Sequence, residues 1–465
     1  MLKVLLNIHF FCCICLNCQS QDKLNNPFDY LATTIKDAYA GYHDKVKGGE
    51  FDALVRRVKR SNSKDTFALL SQITAFFKDH HLLLFDFNIS KQRIDTIACK
   101  KDSQMVQNYF ANKKHKYEYE GYWLNDRNHC VIALKRIKSN PITYYGYIVE
   151  SKAKAIPGYC ILKMTQQKDG SYFTDYISEN FGYKLFLHAR FKNKNTLWVN
   201  SFGGKWLRQP DYQPGVLKKL TTFSYKPALV VIDDKTLLLR MNDFGGYNIK
   251  KIDSIIKANE TIIRQATTLI LDIRNNTGGT ILNYFPLFPY IYTNPILHCG
   301  YYVRYSNTYI ADRESKAKVF SQKGDTSKAR EYQASADTMK AKKGQFVFFE
   351  ADTLAKGLPI LSNPKNIAIV MNNNCLSAAE LMILNFKQSK KVKLFGERTG
   401  GAVDYLDALT IPIASERYSL FIAISKRALT TSQPSYDGTG IKPDVEISDS
   451  VSDWVAFVTK DYNEK

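Results

Sequence analysis

Cysteine is scarce where it could staple a fold. Of nine cysteines in 465 residues, Cys12, Cys13, Cys15 and Cys18 crowd the extreme N-terminus. The other five, Cys99, Cys130, Cys160, Cys299 and Cys375, are odd in number and far apart. That excludes a disulfide scaffold and a zinc ribbon, and leaves open one bridge among Cys99, Cys130 and Cys160. Beyond the N-terminus there is no run of about 18 apolar residues, so no transmembrane helix is expected. No internal repeat and no Gly-Leu-Gly-Phe type carboxylate-binding loop of a PDZ module is present. Acidic residues are in deficit, 44 against 65 Lys and Arg, for a formal net charge of +21. Such a charge raises the question of nucleic-acid binding. The basic residues, however, are scattered, and the densest stretch, Lys316 to Lys343, is interrupted by Asp325, Glu331 and Asp337. With no zinc-ligand spacing and no Arg-rich recognition helix, a solvated basic surface fits better.

Lys3 precedes the mainly apolar run Val4 to Leu16, the pattern of a secretory signal. Cys18 and Ser20 sit at positions −3 and −1 of a cleavage site before Gln21. The expectation is a signal peptide over 1–20 and an extracytoplasmic protein, periplasmic or secreted. Lipid anchoring through Cys18 fits less well, because Asn17 is a poor lipobox residue.

Three further segments differ in pattern. Residues 21–87 form a helical N-terminal domain: Phe51, Leu54, Val55 and Val58, then Phe67, Leu70, Ile73 and Phe77, recur at helical spacing, with Ser63 or Asp65 as a cap. Leu82 to Phe85 reads as a strand. Residues 88–225 form a β-rich middle region of unknown function, with short runs such as Tyr144 to Val149 and Tyr159 to Met164. Residues 226–465 are α/β. Strands are expected at Leu229 to Val231, Thr236 to Met241, Thr268 to Ile273, Ile367 to Met371, Lys393 to Phe395 and Tyr418 to Ile424. A helix follows Ser377. Leu269-Ile270-Leu271 does not alternate, as befits a strand buried on both faces. A polar segment, about 307–345, reads as a surface insertion or lid.

Chemistry concentrates at two strand ends. Thr268 to Ile273 runs into Arg274-Asn275-Asn276-Thr277-Gly278-Gly279, and glycines there let backbone N–H groups face a ligand without a Cβ in the way. Such a turn can form one arm of an oxyanion hole, or be a plain strand-to-helix turn. Ile367 to Met371 runs through Asn372-Asn373-Asn374-Cys375-Leu376 to Ser377-Ala378-Ala379-Glu380. A serine hydroxyl at a helix start sits where N–H groups and the dipole favour negative charge. Ser-x-x-Glu is equally the signature of an N-cap closing a capping box.

Together the two features resemble the carboxy-terminal-processing and tricorn-type serine peptidases, the S41 family. Arg274 to Gly279 is similar to that family's oxyanion loop, and Ser377-Ala378-Ala379-Glu380 to its nucleophile motif. Gly396-Glu397-Arg398-Thr399-Gly400-Gly401 resembles its Gly-Glu-x-Thr-x-Gly turn, and Asp437-Gly438-Thr439-Gly440-Ile441-Lys442-Pro443-Asp444 its closing motif. The four occur in the family's order over about residues 228–447. The resemblance implies an α/β (α+β overall) fold with a crotonase-like C-terminal peptidase core.

What the resemblance implies for chemistry is an exported serine endopeptidase working through an acyl-enzyme on Ser377. Polypeptide would be its substrate, and it would need no cofactor or metal. A serine needs a base. One branch of the family places a lysine where this chain has Ala402, and the tricorn-type histidine position falls at Arg240. Arg cannot serve as a base at neutral pH. Other members carry the histidine in an N-terminal Asp-x-His motif, which His81 fits, with His80 adjacent. The carboxylate preceding the closing motif corresponds to Asp437, which in Asp-Gly can also be a turn residue. The implied triad is Ser377, His81 and Asp437, with Ala378 and Gly278 or Gly279 as oxyanion donors. The alternative, motivated by Arg240 and Ala402, is a catalytically silent binding protein on the same fold.

Overall fold

The computed structural model describes residues 26–87, 117–125, 130–152, 157–178, 182–200, 203–213, 215–219, 226–414, 417–431, 433–448 and 450–463. The expected signal peptide and Cys99 lie outside these residues.

The C-terminal α/β core is a six-stranded sheet ordered Ala228–Val231, Thr236–Arg240, Thr268–Asp272, Asn366–Met371, Val392–Gly396 and Val445–Glu446. The first pair is antiparallel and the rest are parallel. Both faces are covered. Leu237, Leu239, Leu269, Leu271, Ile367 and Ile369 pack into one apolar cluster with the helix Ala378–Phe386. Leu238, Ile270, Ala368, Val370 and Phe395 pack on the other side against Trp454 and Val458 of the helix Trp454–Asn463. This double burial is why the strand sequences do not alternate.

A second, thirteen-stranded sheet draws on the whole chain. Eight of its strands close on themselves: Gly121–Asn125, Cys130–Ser139, Ile142–Ser151, Cys160–Gln166, Tyr172–Ile177, Lys184–Asn193, Thr196–Val199 and Gly204–Arg208. Each pairs antiparallel with the next, and the last pairs back with the first, Trp123 opposite Arg208. The β-rich middle region is therefore an up-and-down barrel. Trp123, Trp206, Tyr176, Ile132, Leu134 and Leu187 are fully buried within its apolar cluster, so the interior is filled by side chains, as expected at eight strands. Cys130 and Cys160 are buried.

The strand Leu82–Asp86 joins the pieces. One edge pairs with Tyr418–Arg427, Leu82 opposite Ile422, and the other with Lys184–Asn193 of the barrel, Phe85 opposite Leu185. The N-terminal helices Pro27–Ala38, Glu50–Lys59 and Thr66–Ala75 bury Leu31, Ile35, Phe51 and Leu70 against Ile411, Ile413, Leu420 and Ile422 of the C-terminal strands. Asp65 caps the third helix, accepting from Ala68 N–H at 3.0 Å. The polar segment after residue 306 is a helical hairpin, Asn307–Gln322 and Thr326–Lys340, capped by Ser306 and Asp325. Phe320 stacks on Tyr332 across it, with ring centroids 5.4 Å apart. Among the described residues no helix is long and apolar enough to cross a membrane.

Candidate active site

Parallel register brings the two chemistry-bearing turns side by side. Asp272 lies opposite Val370, so the turn after Asp272 and the turn after Met371 leave the sheet as neighbours. Asparagines stitch them together. Asn372 Oδ1 accepts from Asn275 N–H at 2.9 Å and from Asn374 N–H at 3.2 Å. Asn275 Oδ1 accepts from Asn372 Nδ2 at 3.0 Å and from Asn374 Nδ2 at 2.8 Å. Asn276 holds Met241 O through Nδ2 at 2.6 Å, and its own carbonyl accepts from Leu376 N–H at 3.0 Å. Sequence reasoning gave these asparagines no role. The available signal was a pair of asparagines, Asn275 and Asn276, after one buried strand and three, Asn372 to Asn374, after its neighbour.

Ser377 stands where the second turn enters the helix. Its backbone is at φ 55°, ψ −120°, far from the extended conformation of an ordinary N-cap and in a region that costs a non-glycine residue about 1–3 kcal/mol. Strain of this kind marks a serine held out at a sharp strand-to-helix turn. Gly278 presses against it: a Cβ there would lie 2.7 Å from Ser377 Cβ, 2.8 Å from Leu376 O and 3.0 Å from Ala378 N. The N–H of Gly278 donates to Asn276 Oδ1 at 2.9 Å, so it is already engaged. Gly279 is exposed, and a Cβ on it would strike Phe244 O at 2.1 Å.

Glu380 is fully buried. Its carboxylate accepts from Ser377 N–H at 3.1 Å, Ala402 N–H at 2.7 Å, Gly401 N–H at 2.9 Å and Thr399 Oγ1 at 2.5 Å. Burial pushes its carboxyl up to about 7, against the pull of these hydrogen bonds.

The two imidazoles arrive just before the strand Leu82–Asp86, and both are buried. His80 forms a hydrogen bond with the backbone of Gly400, and burial lowers its pKa to about 4. Gly400 in turn packs on Leu376, where a Cβ would meet Leu376 Cδ2 at 2.2 Å, and it donates to Cys375 O at 3.0 Å. His81 forms a hydrogen bond with the backbone of Tyr405 and lies 5.9 Å from the Phe421 ring. Its Nδ1 is buried without a hydrogen-bond partner. Burial lowers its pKa as well, and Asp79 opposes this. Asp79 Oδ1 accepts from His81 N–H at 2.7 Å, and Tyr39 OH donates to Oδ2.

Asp437 forms an ion pair with Lys45 at 2.8 Å, and Lys45 Nζ lies 3.7 Å from Asp79. Burial raises the Asp437 carboxyl, and Lys45 opposes that shift. Its backbone is fixed by Asp404, whose Oδ2 accepts from Asp437 N–H at 3.1 Å while Oδ1 accepts from Arg427 at 2.7 Å. The structure thus gathers Gly278, Ser377 and Ala378 at one point and brings His80 to the neighbouring turn. Asp437 is held by lysine, and Asp79 is the carboxylate bonded to the histidine segment. Among the described residues no group of three or more His, Cys, Asp and Glu converges as a metal site.

At the end of a mostly parallel sheet covered on both faces, a strained serine at a helix start thus faces a Gly-Gly turn. Residues 235–447 match the model of peptidase family S41. No curated protein matches the sequence. Among solved structures the chain is similar to mature CPAF, at 12% identity over 90% of this chain and 91% of that one, TM-score 0.46. It is also similar to the photosystem II D1 C-terminal processing protease, at 11% identity over 91% and 92%, TM-score 0.39. A lipoprotein from Streptococcus agalactiae aligns at 19% identity over 52% and 70%, TM-score 0.32.

Proposed function

We propose that the protein is an exported serine endopeptidase that cleaves polypeptides through an acyl-enzyme on Ser377. The observation that carries this reading is the backbone of Ser377, held in a strained conformation with Gly278 packed against it. That arrangement suits a nucleophile better than a helix cap. Ala378 and Gly279 are the candidate oxyanion donors, since the Gly278 N–H is engaged by Asn276. Either imidazole would take the proton from Ser377. The family pattern favours His81, and the Gly400 contact favours His80. Burial lowers the pKa of both, which favours the neutral form that a base needs. Asp437 is the candidate carboxylate, and it would have to exchange Lys45 for an imidazole during turnover. In the proposed organisation residues 1–20 are a signal peptide and 21–87 supply the histidine. Residues 88–225 hold the barrel, and 226–465 form the peptidase domain with an insertion at about 307–345.

The test is labelling by a fluorophosphonate together with cleavage of an unfolded polypeptide by purified protein. Ser377→Ala should abolish both. Replacing the true base with alanine should cost several orders of magnitude in kcat, by analogy with other triads, and replacing the other histidine far less. An unlabelled Ser377 in folded, unmutated protein would leave the silent binding protein as the reading.

A further inference from the structure

A capping-box glutamate needs to reach only one backbone N–H, that of its own N-cap. Glu380 does more. A carboxylate offers about four lone-pair sites, and here all are taken, by Ser377 N–H, Ala402 N–H, Gly401 N–H and Thr399 Oγ1. Thr399 Oγ1 also accepts from Ile441 N–H at 2.7 Å. Gly401 is pressed into the loop that follows Asp437: a Cβ on it would lie 2.4 Å from Tyr436 O and 2.8 Å from Gly438 N and Gly440 N. Glu380 binds two segments directly, and a third is tied to them through Thr399 and Gly401. The three are the nucleophile turn, the turn 396–402 and the loop 436–441.

We infer that Glu380 is a positioning residue, holding Ser377 in its strained conformation in register with the loop that carries Asp437. This rests on Ser377 being the nucleophile. The ionised carboxylate alone can accept from all four donors. A glutamine at this position would turn an NH2 group toward two of them, whichever way the amide is rotated.

Glu380→Gln tests the inference through the rate of Ser377 labelling by a fluorophosphonate, alongside kcat and KM on an unfolded polypeptide. A misplaced nucleophile lowers rate, so labelling rate and kcat should fall about 100-fold with KM changed by less than about twofold. A merely structural Glu380 would instead reduce the amount of folded, labelled protein while each folded molecule reacted at the wild-type rate. That result overturns the inference. If Glu380→Gln does not fold, Thr399→Val decides, since it removes one of the four donors. A loss of about 10-fold in labelling rate supports positioning, and a wild-type rate refutes it. Absence of labelling in the unmutated protein removes the nucleophile reading and this inference with it. The two failures are separable, because that one shows before any Glu380 variant is made.

Discussion

Replacing Gly278 by alanine adds one methyl group at the point where the Gly-Gly turn meets the turn that carries Ser377. The added Cβ would lie 2.7 Å from Ser377 Cβ and 2.8 Å from Leu376 O, where 3.4 Å begins ordinary contact. Relief requires Ser377 and residue 278 to separate by about 0.7 Å, in a region packed too tightly to absorb it freely. The backbone at this site has φ +93°, which an L-residue adopts at a cost of about 1–3 kcal/mol. Overpacking adds about 1–3 kcal/mol. The sum, about 2–6 kcal/mol, is a large fraction of a typical domain's stability of about 5–15 kcal/mol. Gly278→Ala is therefore expected to melt markedly earlier and, where folded, to lose about 100-fold in kcat through displacement of the serine. Gly324→Ala is the control: its φ is +78° and nothing lies within 4 Å of the added Cβ. It should show the backbone cost alone and turn over at the wild-type rate. Thermal melts and turnover of an unfolded polypeptide read both. A Gly278→Ala protein with wild-type melting and turnover would refute the close-approach reasoning.

Three further outcomes are expected. Burial lowers His80 to about 4, so its contribution to stability is complete above pH 6.5 and is lost as pH falls toward 4, about 3 kcal/mol in all; chemical denaturation across that window should show the loss, and His80→Gln should flatten it. Lys205 of the barrel pairs with Glu397 of the 396–401 turn at 2.9 Å, with 8% and 13% of their side chains exposed. Lys205→Met should cost about 3–5 kcal/mol by leaving that carboxylate uncompensated, and adding Glu397→Gln should restore most of it in denaturation curves. Asn372→Ala strips the buried Asn275 and Asn374 N–H groups of their acceptor. It should destabilise by about 1–3 kcal/mol per orphaned group and slow Ser377 labelling.

Local pattern made much of the peptidase core legible. Non-alternating apolar strands such as Leu269-Ile270-Leu271 declared a sheet covered on both sides. Gly278-Gly279 and Ser377-Ala378-Ala379-Glu380 declared the two turns. The helices of residues 27–75 followed from the spacing of Phe51, Val55, Phe67 and Leu70. Less could be read from residues 117–219. Their short strands were visible one by one, but closure depends on Trp123 meeting Arg208, a pairing between segments more than eighty residues apart. No local preference encodes that. The polar run after Ser306 gave weak apolar periodicity, so its two helices were not foreseen.

The candidate site residues divide in the same way. Ser377 and Gly278 were identifiable as candidates in the chain itself, because residue type at a strand end is a matter of a few neighbouring residues. The setting of the histidines was not. His80 and His81 reach the core because Leu82–Asp86 slots between Tyr418–Arg427 and the barrel strand Lys184–Asn193. Likewise Asp437 pairs with Lys45 only because helices from the N-terminus pack on strands from the C-terminus. The sequence by itself determined the elements and the chemical character of each turn. The tertiary structure alone decided which charges face one another, since Coulombic and hydrogen-bond partners across hundreds of residues are chosen by packing, not by spacing along the chain.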